Sequence, residues 1–226
     1  MTRAYVGIDC EMSGTDYLTY RLIQVGFSLD ARDESKCFKS DIGWEVGDFE
    51  YQPEALRVNR FTVERITSGP SSTSVEGKLL AWFEEMGLKE ASIIPVGFAV
   101  RTFDMPFIDY TFSKEVMGYF IRPKPRGLPS DSNPYLYRCS DLTDYTLGMA
   151  YGIERSQRKL YGEMAWKRAG KEYAQRELAK VGVEPDWHDA LYDARAALLQ
   201  MEFYTNQRLK PSEAQMRDLL GKEQPS

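Results

Sequence analysis

Two apolar stretches near the start of the chain, residues 4–12 (AYVGIDCEM) and 21–29 (RLIQVGFSL), are partly β-branched and flank a polar turn around Ser13-Gly14-Thr15-Asp16. Runs of this kind bounded by turn residues predict strands. A third strand is expected from Cys37 to Trp44, completing an antiparallel meander. The period then changes. From Thr73 to Met86 the apolar positions Val75, Leu79, Leu80, Trp82, Phe83 and Met86 recur at helical spacing, and Gly87 is placed to stop the helix. A strand is predicted over 92–100 (SIIPVGFAV) and helical spacing resumes from Phe103 to Tyr119, so the central sheet is expected to be partly parallel.

Residues 122–134 carry four prolines with glycine and serines and read as a surface loop. A short strand is predicted at Leu136–Cys139, then helices over 141–152, 157–181 and 190–209, with a loosely held tail over 210–226. The pattern predicts an α/β fold in one catalytic unit, residues 1–209, which suits a chain of 226 residues.

Composition narrows the function classes. With 42% hydrophobic and 28% charged residues the chain resembles soluble globular proteins, and no apolar run approaches the roughly 20 residues of a membrane span. No secretory leader is apparent at the N-terminus, and three widely spaced cysteines (Cys10, Cys37, Cys139) suit a reducing compartment, so a cytoplasmic protein is expected. The single histidine and the lack of a CxxC leave little from which to build a structural zinc site. A net charge of −5 argues against the broad basic surface of a duplex binder. It leaves room for a small site that grips one strand end, where metal ions supply the positive charge.

The candidate chemistry lies in three segments. Alternation along the first strand puts the Asp9 and Glu11 carboxylates on one face and Cys10 on the other. Carboxylates without clustered cysteine or histidine favour hard cations such as Mg²⁺ or Mn²⁺. Asp104, in VGFAVRTFDMPF, falls at a strand-to-helix junction. His188 and Asp193, in WHDALYDARAAL, fall at the entry and in the first turns of an alanine-rich helix. Each segment alone reads equally well as a solvated acid pair, a helix N-terminal acid or a surface histidine.

Taken in order, the three segments resemble the DEDD superfamily of 3′-to-5′ exonucleases, specifically its DEDDh (DnaQ-like) branch. Asp9-Cys10-Glu11-Met12-Ser13-Gly14 matches the first motif, in wording most similar to oligoribonucleases. Phe103-Asp104-Met105-Pro106-Phe107 matches the second, and His188 to Asp193 the third. Pro53 to Asn59 is similar to the family's link after the third strand. Many members carry an asparagine shortly before the second aspartate, where this chain has Ala99. Between Tyr119 and Asp186 only Arg138-Cys139-Ser140-Asp141-Leu142 aligns firmly.

The resemblance implies a ribonuclease H-like mixed central sheet flanked by helices. It implies two Mg²⁺ or Mn²⁺ ions held by Asp9, Glu11, Asp104 and Asp193, with His188 as general base, a role suited to histidine's unperturbed pKa of about 6.5. Met12, Ser13 and Gly14 would meet the terminal base and sugar. The implied partners are single-stranded 3′ ends of DNA or RNA, with a polymerase or a second copy of the chain left open, as is a non-catalytic role. Phe103, Phe107 and Tyr192 are read as core or near-core positions.

Overall fold

The computed structural model describes residues 3–120, 140–142 and 159–206. Three antiparallel strands open the fold: β1 (Arg3–Met12), β2 (Leu22–Ser28) and β3 (Cys37–Asp41). Two short helices, α1 (Pro53–Asn59) and α2 (Val63–Ser68), then lead into α3 (Ser72–Glu85). Strand β4 (Ser92–Gly97) lies parallel to β1, helices α4 (Asp104–Thr111) and α5 (Lys114–Phe120) follow, and β5 (Ser140–Asp141) extends the parallel edge. The long helices α6 (Lys159–Lys180) and α7 (Ala190–Asn206) complete the described chain. The sheet order is β3-β2-β1-β4-β5, the mixed α/β arrangement expected.

Strand β2 is buried along its whole length because both faces of the sheet are covered. On one face Val6, Ile8, Cys10 and Met12 of β1 join Val25 and Phe27 of β2, and α3, α4 and α5 close over them with Val75, Leu79, Phe83, Ile108 and Val116. The opposite face presents Gly7, Asp9 and Glu11, the alternate residues of β1, to α7.

That second interface is unusually close. A Cβ built on Gly7 would lie 2.1 Å from the Ala194 carbonyl oxygen, and one on Gly26 would lie 2.3 Å from the Ala190 carbonyl. Any side chain at either position would push the helix off the sheet. Gln24 fixes the start of α7: its Oε1 accepts from the Ala190 amide at 2.9 Å, while its Nε2 donates to Asp41 Oδ1 at 2.7 Å. Arg65 grips the same Asp41 carboxylate through two nitrogens, at 2.7 and 2.8 Å. Helix α6 packs outside α7 through Ala174 and Leu178 against Ala196 and Leu199.

Several boundaries differ from the pattern-based expectation, each for a local reason. The strand predicted to reach residue 100 ends at Gly97, because Ala99 adopts the left-handed conformation at φ 52°. The single helix predicted over 103–119 is two, broken at Phe112, which is extended at φ −107°, ψ 162°. Ser113 then caps the second helix by accepting from the Glu115 amide. Strand β3 stops at Asp41 rather than Trp44. Helix α3 runs within a residue of its predicted span, with Gly87 left-handed at φ 66° just beyond it. The predicted loop over 122–134, the strand at 136–139, nearly all of the helix over 141–152 and the tail from 210 lie outside the described residues.

The glycine contacts give a direct test. Gly7→Ala and Gly26→Ala should each destabilise the protein by about 1–3 kcal/mol, the usual range for overpacking. Gly77→Ala, in the middle of α3 with open space around it, should raise stability by up to about 1 kcal/mol. Chemical denaturation of the three variants checks both signs.

Candidate active site

A cleft of about 670 Å³ opens where β1, the β4–α4 connection, α1, α6 and α7 meet. Asp9, Glu11, Asp104, His188 and Asp193 all line it. Strand β1 delivers the first two on its α7 face. A register shift between Glu11 and Met12 breaks the ladder with β2 at this point, an irregularity of the kind that re-aims side chains beside binding sites. Asp104 is the first residue of α4 and is only 3% exposed. A tight turn positions it: the Thr102 and Phe103 amides both donate to the Ala99 carbonyl, and the Met105 amide donates to Val100. Ala99, where many family members have asparagine, is the left-handed residue of that turn, a conformation that asparagine tolerates better than alanine.

His188 precedes α7 in the left-handed conformation, φ 69°, and its amide donates to Asp193 Oδ2 at 2.9 Å. Beside it the Trp187 ring packs edge-on against Tyr192, centroids 4.9 Å apart. The histidine is thus held through its backbone, leaving the exposed imidazole at the cleft rim. Ligand atoms of Glu11, His188 and Asp193 lie within 4.8 Å of one another.

The electrostatics are those of crowded acids. Burial, followed by the charges of Asp104, Asp193 and Glu11, raises the Asp9 carboxyl well above its ordinary value. Burial and then Asp193, Asp104 and Asp189 push Glu11 up to about 8. Asp193 is raised to about 6 by burial, against the opposing pull of the His188 amide and the Lys171 charge. Asp193 Oδ1 is buried without a hydrogen-bond partner. Four converging carboxylates, one with an orphaned oxygen, fit a hard divalent cation, which would supply the missing partner and offset the repulsion. Cys10 points into the core, and burial together with the neighbouring acids raises its thiol well above the usual value.

No family model matches the chain, and no curated protein does. Solved structures match over most of its length. The nuclease domain of 3′hExo, a DEDDh family member bound to rAMP, is 14% identical with a TM-score of 0.54, covering 90% of this chain and 92% of that one. Pop2p of S. pombe, in a Mg²⁺- and Mn²⁺-bound form, is 14% identical with a TM-score of 0.56, covering 93% and 86%. Exonuclease I of E. coli in complex with an oligonucleotide is 14% identical with a TM-score of 0.55. The chain shares the fold of these solved structures, among them the nuclease domain of a DEDDh family member. It is the ribonuclease H-like arrangement the motifs implied. This chain, 92% of which is covered, spans only 42% of the exonuclease I chain.

On this fold the three substrate-contact expectations separate. Met12 and Gly14 line the cleft. Gly14 is required sterically, since a Cβ there would meet the Tyr20 ring at 2.3 Å. Ser13 is fully buried and is not among the lining residues. Its hydroxyl donates to the Glu50 carbonyl at 2.7 Å and accepts from the Arg21 amide at 2.9 Å, so it ties the turn together. Phe107 and Tyr192 are buried as expected, whereas Phe103 is 36% exposed and lines the cleft. Sequence reasoning did not single out Phe98, Lys167, Lys171 or Gln200, which also line it. Lysines four apart share a helix face, but nothing in the sequence shows which face meets the site.

These shifts fix the sign of a pH effect. A carboxyl whose folded pKa lies above its unfolded value holds a proton that the unfolded chain has released, so stability falls as pH rises. For Asp193 the window runs from its ordinary value of 3.8 to about 6, and for Glu11 from 4.5 to about 8. Depressed carboxyls such as Asp41 are already ionised above pH 5. In EDTA the protein should melt at a lower temperature at pH 8 than at pH 5, Mn²⁺ should restore the loss at pH 8, and Glu11→Gln should flatten the dependence. Thermal melts across this range check it; a metal-free Tm that rises towards pH 8 would contradict the site.

Proposed function

We propose that this chain is a divalent-metal-dependent exonuclease. It hydrolyses phosphodiester bonds from the 3′ end of single-stranded DNA or RNA and releases nucleoside 5′-monophosphates. The observation that carries this reading is the convergence of Asp9, Glu11, Asp104, Asp193 and His188 on one cleft, with an orphaned oxygen on Asp193 and a Glu11 carboxyl held up to about 8. The oligoribonuclease-like wording of the first motif favours short RNA within that range.

The carboxylates of Asp9, Glu11, Asp104 and Asp193 would hold two Mg²⁺ or Mn²⁺ ions, which would supply Lewis acidity at the scissile phosphate. Asp193 has its side chain oriented by the His188 amide. The imidazole of His188 removes a proton from the attacking water, and its place at the exposed rim lets it pass that proton to solvent. Met12 and Gly14 seat the terminal nucleoside. A non-catalytic module that binds nucleic acid or docks on a polymerase would not require all five positions to be filled.

The test uses 5′-labelled single-stranded RNA and DNA oligonucleotides with Mn²⁺ or EDTA. The expected result is a ladder shortening from the 3′ end in Mn²⁺ alone, with circular single strands untouched. Cutting of the circles would indicate an endonuclease, and binding without cutting would indicate the non-catalytic module.

His188→Ala isolates the base. Loss of a general base costs about 10²- to 10⁴-fold in rate. The variant should therefore lose turnover by that factor while keeping near wild-type Mn²⁺ affinity in a calorimetric titration. A parallel loss of Mn²⁺ affinity would instead make His188 a ligand, as its closeness to Glu11 and Asp193 allows.

A further inference from the structure

The cleft does not end at the carboxylates. Asp193, Ala197 and Gln200 of α7 all line it, at the four- and three-residue steps of one helix face. The groove therefore runs on for about 10 Å past Asp193, seven residues at roughly 1.5 Å each. Facing this limb are Phe98, just beyond β4, and Lys167 of α6, whose ammonium lies 6.0 Å from the Phe98 ring centroid. Helix α6 is seated here because Gly170 leaves room for Tyr204: a Cβ on Gly170 would meet the Tyr204 hydroxyl at 2.4 Å.

Gln200 is 2% exposed, and its Oε1 has no hydrogen-bond partner. Buried acceptors are rarely left unpaired, so one that borders a cleft implies a ligand that brings a donor. An aromatic face, a cation and an unpaired acceptor together match what one nucleotide offers: a base π-face, a phosphate, and a sugar hydroxyl or base amino group.

The distribution of charge gives the polarity. Among the described residues, the opposite limb, around Gly14, Ala55 and Val58, contributes Glu54 and no lysine or arginine to the lining, whereas Lys167 and Lys171 line it from α6. A strand terminus with a free hydroxyl has no phosphate beyond the scissile one. The continuing strand has one at every step.

The geometry points to the Phe98–Lys167–Gln200 limb as the subsite for the nucleotide on the 5′ side of the scissile phosphate. This assignment rests on the exonuclease reading above. Phe98 stacks on the base, Lys167 pairs with the next phosphate upstream, and Gln200 Oε1 accepts from the sugar hydroxyl or the base amino group.

Two substrates isolate the subsite: a 5′-phosphorylated dinucleotide, which carries the upstream phosphate, and thymidine 5′-(4-nitrophenyl phosphate), which keeps the terminal nucleoside and scissile phosphate but has nitrophenolate in place of the upstream nucleotide. With the full chain and Mn²⁺, Lys167→Ala and Gln200→Leu should each lower the ratio of kcat/KM for dinucleotide over ester about tenfold. Gln200→Met serves as the second variant if Gln200→Leu melts early. Binding of a labelled oligonucleotide in Ca²⁺ gives a readout independent of turnover. There Lys167→Ala should reduce the slope of log K against log salt by about 0.7, the value for one phosphate contact on a single strand.

An unchanged ratio with an unchanged slope would overturn the subsite, as would equal losses on both substrates. Wild-type protein that cleaves neither substrate would refute the exonuclease reading, and the salt slope would still decide the subsite. Ribose and deoxyribose at the upstream position identify the donor. A Gln200 effect confined to ribose assigns the 2′-hydroxyl, and one that follows base identity assigns the amino group.

Discussion

The site depends on how closely α7 lies against the sheet. Gly7 and Gly26 present no side chain, Ala190 and Ala194 present the smallest, and the helix backbone comes to rest on the strands. At that distance the first turns of α7 put Asp193 and the preceding His188 across from Asp9 and Glu11. A larger residue at any of these positions would overpack the interface and lift the helix from the sheet. It would also separate the carboxylates. The Arg65–Asp41–Gln24 chain of hydrogen bonds ends on the first amide of α7 and fixes the helix along its axis as the glycines fix its height.

Such close seating brings like charges together. Desolvation and mutual repulsion raise Asp9, Glu11 and Asp193, so the metal-free protein holds protons at near-neutral pH that an exposed carboxyl would release. Divalent cations and protons then compete for the same oxygens. The arrangement is costly without a cation and well matched to one, which links the packing of two glycines to the chemistry proposed for the cleft.

Much of this was legible in the sequence, and the parts that were not share a cause. The alternation that put Asp9 and Glu11 on one face of β1 is a local property, as are the spacing of α3 and the helix entry at His188. Asp104 was legible through its motif, although the turn that aims it depends on a left-handed Ala99 that no propensity favours. Helices α1 and α2, seven and six residues long, carry too little periodicity to stand out, even though Pro53 and the Thr62 cap mark their starts. Ser13 belongs to the motif and lies beside the cleft, yet its hydroxyl is engaged by Glu50 and Arg21. Lys167 and Gln200 could not be read at all, because their place follows from how α6, α7 and the end of β4 pack across long stretches of chain.

The most direct test is anomalous scattering from crystals grown with Mn²⁺ and a short single-stranded oligonucleotide. Two peaks among Asp9, Glu11, Asp104 and Asp193, with the 3′-terminal nucleoside against Met12 and Gly14, are the predicted result. A cleft with no Mn²⁺ peak at these carboxylates, or an oligonucleotide bound away from them, would contradict the account.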